Sequence, residues 1–185
     1  MHSGTSASRS ECIGHPSFWL SRAGTSPVLV DGERAYVQSA AIVEYFSEAL
    51  GSFRGPDPAT RQAIREWLYW DVDALFPAIF GCYAAELDRK KLLPLNIDPA
   101  VAAFRCKSAE TAVLSLDGHL QPDEFLCCTM PTIADIFCLG DIAFAEVCGF
   151  DLERWPNVAK WAARLRALPG FARPFDLLPM HDAAL

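Results

Sequence analysis

Between Pro27 and Tyr45 the apolar and polar positions change their period. Val28 to Val30 and Ala35 to Val37 are short runs rich in β-formers. Asp31-Gly32 between them tolerates the positive φ angles of a tight hairpin turn. After Val37, Ile42, Tyr45 and Phe46 recur at i, i+3 and i+4, and Ser39 ahead of them offers a helix-capping hydroxyl. The pattern predicts a strand, a tight turn, a second strand and a capped helix. Pro27 removes a backbone donor where the first strand begins, which suits an edge or a bend.

Helical spacing dominates from there on. Gly51 to Pro58 is a linker punctuated by Gly and Pro. Ile64, Trp67, Leu68, Val72, Leu75, Phe76 and Ile79 predict one long helix from Ala59 to about Leu87, kinked by Pro77. Asp88 to Pro99 reads as a loop. A second helix follows from Ala100 to about Leu120, burying Val101, Phe104, Ala109, Ala112, Val113, Leu116 and Leu120. Thr132-Ile-Ala-Asp135 predicts a reciprocal capping box. The helix after it is apolar nearly all round, which places it inside a bundle. Arg154-Trp-Pro-Asn-Val158 opens a last helix that Pro169-Gly170 stops. Phe171 to Leu185 is expected to be a loose tail. Residues 1–17, rich in Ser, Gly and Thr, are expected to be disordered. The domain reading is 1–50, a linker at 51–57, and an all-helical 58–185.

Composition narrows the function classes. Half of the 185 residues (51%) are hydrophobic, enough for a sizeable core. The net charge of −7, with no basic cluster longer than Arg89-Lys90-Lys91, argues against a nucleic-acid partner. No apolar run is long enough to span a membrane, and no uninterrupted apolar segment near the N-terminus suggests a secretory signal. Seven cysteines without a CxxC pair predict reduced thiols and a cytoplasmic protein. Cys127 and Cys128 lack a His at ligand spacing, so no metal site is expected. His119, near a helix end, fits a favourable dipole interaction better than catalysis.

Two features carry candidate chemistry. Gln38 and Ser39 gather an amide, a hydroxyl and the free N–H groups of a helix start, a ready site for a carboxylate. Ser26 would turn its backbone N–H and C=O outward for an extended peptide if the Ser26–Pro27 bond were cis. The most aromatic stretch, Trp67 to Tyr83, offers Trp70 and Tyr83 as residues that could meet a ligand. An aromatic stripe at helical spacing is more often core.

The stretch Pro27-x-Leu29-x-Asp31-Gly32, Gln38-Ser39, Ile42 and Tyr45 resembles the second half of the glutathione-binding domain of the glutathione S-transferase family. Thr132-Ile-Ala-Asp135 resembles a hallmark of that family's helical domain. Trp155-Pro-Asn-Val158, Trp161, Leu165-Arg166 and Pro169 are similar to its end. The likeness covers residues 24 to about 174. It implies a mainly α protein with a small α/β part: a partial thioredoxin-like unit of hairpin and helix, followed by an all-α bundle. It implies that Ser26 offers its backbone to the cysteinyl unit of glutathione, the co-substrate, and that Gln38 and Ser39 hold the γ-glutamyl end. Pro27, Thr132 and Asp135 would be structural, and a small hydrophobic electrophile would bind near Trp70 and Tyr83.

The family's domain begins with a strand, a helix and a second strand, and its thiol-activating Tyr, Ser or Cys lies on the first strand. The 26 residues ahead of Pro27 show no such pattern, so the expectation is a truncated domain from which the catalytic strand and the thiol-activating residue are missing. Ser10 and Cys12 are weak substitutes for it. Two function classes follow: a glutathione transferase-like homodimer with weak or lost activity, or a non-catalytic protein-interaction module. A misplaced start or a gene fragment is a third possibility.

Overall fold

The computed structural model describes residues 21, 24–120 and 124–173. Expectations for residues 1–17, including Ser10 and Cys12, and for most of the tail lie outside them. The chain divides into two compact units, 1–45 and 46–185, with the division inside helix α1.

The first unit is a hairpin and the start of a helix. Strands β1 (Val28–Asp31) and β2 (Arg34–Val37) pair antiparallel, with Val28 opposite Val37 and Asp31 opposite Arg34. The loop is Gly32-Glu33, and Gly32 takes φ +58°, the angle such a two-residue turn demands at its first position. Helix α1 (Ser39–Leu50) is tied to the hairpin by Tyr45, whose hydroxyl donates to the Asp31 carboxylate and whose ring stacks on Tyr36 at 4.1 Å. The Asp31 bond, together with Tyr36, holds the Tyr45 phenol in its protonated form and raises its pKa.

The second unit is helical. Helix α2 (Pro58–Trp70) is capped by Asp57, which accepts from the Thr60 N–H at 2.9 Å. The single long helix expected here is interrupted by a π turn at Asp71–Leu75 before α3 (Phe76–Arg89) continues. Pro77 accounts for the difference. A proline has no N–H to give and crowds the carbonyl four residues back, and a widened turn relieves both problems. The Phe76 N–H accordingly reaches the Asp71 carbonyl, five residues back.

After α3, the Asp88 carboxylate organises the loop by accepting from the N–H groups of Leu95, Asn96 and Ile97 at 2.7–2.9 Å. Those bonds favour its charged form and lower its pKa. Helix α4 (Pro99–His119) then starts from an Asp98 cap. Ala109, Ala112, Val113 and Leu116 are buried as expected. Val101 and Phe104 are instead 43% and 72% exposed, while the next residues, Arg105 and Cys106, are the ones that meet Gly81 and Cys82 of α3.

Helix α5 (Ile133–Val147) occupies the middle of the unit, and α6 (Pro156–Arg166) closes it with Val158, Trp161, Ala162 and Leu165 buried. Asp117 of α4 supplies the cap that α6 lacks. Its carboxylate accepts from the N–H groups of Asn157 and Val158 at 2.8 and 3.0 Å.

The expectation of reduced thiols is corrected at one pair. The sulfurs of Cys82 and Cys106 are bonded, joining α3 to α4 across a Cα separation of 4.6 Å. The two side chains meet because α3 and α4 pack against each other. Cys127, Cys128, Cys138 and Cys148 remain thiols.

Candidate functional site

The Ser26–Pro27 peptide bond is cis. The hairpin ladder ends at Val28 opposite Val37, which leaves Pro27 and Gln38 as the next residue on each strand. Gln38 breaks the strand with φ +73°, a left-handed value uncommon for a residue with a side chain and concentrated at turns and ligand clamps. Its carbonyl accepts from the Ile42 N–H at 2.9 Å, which makes Gln38 the N-cap of α1 and Ser39 the first helical residue. The expected capping role thus moves back by one position. Ser39, Ala40 and Ala41 are then the positions whose N–H groups lack a partner within the helix. No acidic residue occupies the first turn of α1 to satisfy them. Ser26 and Gln38 are exposed and Ser39 is half-buried. The Gln38 conformation carried no signal in the sequence, since nothing about a glutamine demands positive φ.

Trp70 and Tyr83 do not share a cavity. Trp70 lines a shallow groove of about 410 Å³ between α2–α3 and α4, beside Phe104, Ser108 and Thr111. Tyr83 belongs to a separate chain of rings, with Phe76 stacked on Phe80 at 5.4 Å, Phe80 6.4 Å from Tyr83, and Tyr83 edge-on to Phe144 at 5.4 Å. A larger cavity of about 760 Å³ lies along α5 and α6, walled by Phe53, Ile136, Leu139, Val147, Leu168 and Phe171. It explains why a helix apolar on every side is not covered on every side: Ile136 and Val147 are 42% and 44% exposed on this wall.

Thr132 and Asp135 form the expected capping box, and Asp135 does more than cap. It is fully buried. One carboxylate oxygen accepts from the Thr132 N–H at 2.8 Å and the Thr132 hydroxyl at 3.0 Å. The other accepts from the Leu126 N–H and the Trp161 indole N–H, both at 2.9 Å. One side chain thereby joins the loop before α5, the start of α5 and the middle of α6. The His119 Nε2 lies 3.1 Å from the Leu126 carbonyl, and its ring meets Trp67 edge-on at 4.6 Å. Among the described residues no group of three or more His, Cys, Asp or Glu side chains is placed to hold a metal. No helix among them is long and apolar enough to cross a membrane.

Comparison with known proteins agrees with this architecture. Residues 98–164, from the α4 cap to α6, match the glutathione S-transferase C-terminal domain family. Glutathione S-transferase D7 of Drosophila melanogaster is 28% identical over 160 residues, covering 83% of this chain and 67% of the fly protein. A glutathione S-transferase structure from Xanthobacter autotrophicus superposes with a TM-score of 0.75 at 28% identity, covering 87% of this chain and 78% of that one. A structure described as a possible glutathione S-transferase from Rhodopseudomonas palustris gives 0.73 at 26% identity, covering 90% and 74%. Residues 98–164 thus match a glutathione S-transferase C-terminal domain, and the fold of the chain is similar to that of glutathione S-transferases.

Proposed function

We propose that this chain binds glutathione through the backbone of Ser26 and the Gln38–Ser39 helix start, as a glutathione transferase-like homodimer. The observation that carries the reading is a cis bond before Pro27 together with a left-handed Gln38, the two residues that flank the last strand pair, Val28 and Val37. An α-carboxylate suits that place, since a helix start offers several N–H donors and a positive dipole end. Ser26 would pair its main chain with the cysteinyl unit. In the helical unit, Tyr83 with the neighbouring rings of Phe80 and Phe144 offers contacts for a small apolar electrophile.

These three residues account for the γ-glutamyl and cysteinyl parts of the tripeptide. The glycyl carboxylate and the thiol have no assigned partner. Two unmade contacts at about 1.5 kcal/mol each weaken binding about 100-fold. Among the described residues we assign no thiol-activating group; a thiol left without one keeps its ordinary pKa, and conjugation would then be weak or lost. Calorimetric titration with glutathione tests the reading. Weak binding that Ser39→Ala removes supports it, and identical titrations for both proteins would refute it.

A second reading, a non-catalytic interaction module, is favoured by one observation. Tyr69, Val72, Phe76 and Phe80 form an exposed stripe along α2, the π turn and α3, and Phe104 of α4 is also exposed. An apolar surface of that kind marks a protein contact. A stable dimer that does not bind glutathione would establish this reading in place of the first.

A further inference from the structure

The cavity of about 760 Å³ along α5 and α6 has no part in the glutathione reading. Its wall keeps apolar groups in water, with Ile136 and Val147 of α5 exposed on it. Gly140 lies on the same wall, in the interior of α5, and a Cβ built there would meet nothing within 4 Å. Glycine weakens a helix interior, and here it leaves part of the wall bare down to the backbone. The Glu146 and Arg166 side chains, also on the wall, pair with each other, so they do not call for a charged occupant.

The last described residues form one side of this cavity. Gly170 turns the chain with φ +80°, the Phe171 N–H donates to the Leu168 carbonyl at 3.1 Å, and Phe171, Ala172 and Arg173 line the opening. Residue 174 therefore starts at the rim. The sequence that follows is Pro174-Phe175-Asp176-Leu177-Leu178-Pro179-Met180, rich in large apolar side chains. Pro174 and Pro179 bar a regular helix and favour an extended stretch between them. In such a stretch Phe175 and Leu177 share one face and Asp176 takes the other. Extended chain advances about 3.3 Å per residue, so Phe175 to Leu178 cover about 10 Å, close to the width of a cavity of this volume.

We propose that residues 174–180 lie across this cavity as an apolar strap, seating Phe175 and Leu177 against the α5 wall and shutting the cavity to small molecules. The strap is tethered at Arg173, on the rim, so its effective concentration at the cavity exceeds that of a free ligand. Asp176, on its outer face, stays in water. The strap does not depend on glutathione and is independent of the site at Ser26 and Gln38.

The test uses the full chain, as wild type and as the double variant Phe175→Ser/Leu177→Ser, titrated with N-phenyl-1-naphthylamine, a neutral probe that fluoresces in apolar surroundings. The wild type is expected to take up little probe and the variant at least about tenfold more, since two large apolar side chains no longer gain from burial. Adding Gly140→Phe to the double variant should abolish the uptake by filling the space above Gly140. Chymotrypsin is expected to cut native wild type after Phe175, Leu177 and Leu178 at least about tenfold more slowly than a synthetic peptide of residues 171–185. Equal probe uptake by wild type and double variant overturns the proposal and makes the cavity an open ligand site. Exclusion from both also overturns it, and a dimer in sedimentation would then assign the cover to a second copy. Cleavage of the native tail as fast as the free peptide overturns it as well, a readout that stands even if the variants do not fold.

Discussion

Replacing Asp135 with alanine removes one fully buried carboxylate and four hydrogen bonds together. Three of the donors are N–H groups of Leu126, Thr132 and Trp161, which cannot turn elsewhere, whereas the Thr132 hydroxyl can rotate. Each buried donor left unpaired costs about 1–3 kcal/mol. Three of them would sum to between about 3 and 9 kcal/mol, but the carboxylate no longer has to be desolvated. A net loss of about 4 kcal/mol is expected, within the usual range for breaking a buried charged network. Asp135→Asn keeps the shape and one acceptor oxygen. With that oxygen toward Leu126 and Trp161, only the Thr132 N–H faces a donor, and the expected loss is about 2 kcal/mol. Urea denaturation followed by tryptophan fluorescence measures both, with Trp161 itself reporting on the site. The midpoint should fall without a change in slope. Asp135→Ala costing less than about 1 kcal/mol would refute the claim that this side chain holds three segments together.

Further predictions follow from separate features. Reducing the Cys82–Cys106 bond, which closes a loop with a sequence separation of 24, should cost about 3 kcal/mol and lower the melting temperature; no change on adding a reductant contradicts it. Gly55→Ala should cost about 1–2 kcal/mol, because φ is +73° and a Cβ would lie 2.8 Å from the Thr60 methyl; an unchanged melt contradicts the strain. Burial pushes the Cys127 thiol up to about 12, so in the native protein at neutral pH it should resist iodoacetamide. Rapid labelling of Cys127, mapped by mass spectrometry, would show that reasoning to be wrong.

What the sequence makes legible is local. The hairpin is fixed by a change of period and by Asp31-Gly32, and the start of α5 by the three-residue spacing of Thr132 and Asp135. What it hides depends on the meeting of distant residues or on backbone states that side chains do not announce. Asp117 caps a helix that begins 39 positions later, at Pro156, and an aspartate near the end of α4 gives no hint of that. Cys82 and Cys106 are two of seven cysteines, and spacing alone cannot pair them. Pro77 announces a disturbance but not its form, a π turn and not a sharp bend. Phe104 fits the apolar period of α4 yet stands 72% exposed, because periodicity identifies a face and not what covers it. In the candidate site the cis bond before Pro27 was foreseeable as one of the two states open to a Ser-Pro dipeptide. The left-handed Gln38, which shifts the cap off Ser39, was not.

The account rests on the helix start beside Pro27 being a place for the γ-glutamyl carboxylate. Amide NMR of the ¹⁵N-labelled chain, titrated with glutathione, examines that place most directly. The account predicts shifts concentrated at Ser26 and at Gln38 through Ala41, saturating at a weak affinity and missing in Ser39→Ala. Shifts confined to the helical unit, or a spectrum that glutathione leaves unmoved, would contradict it.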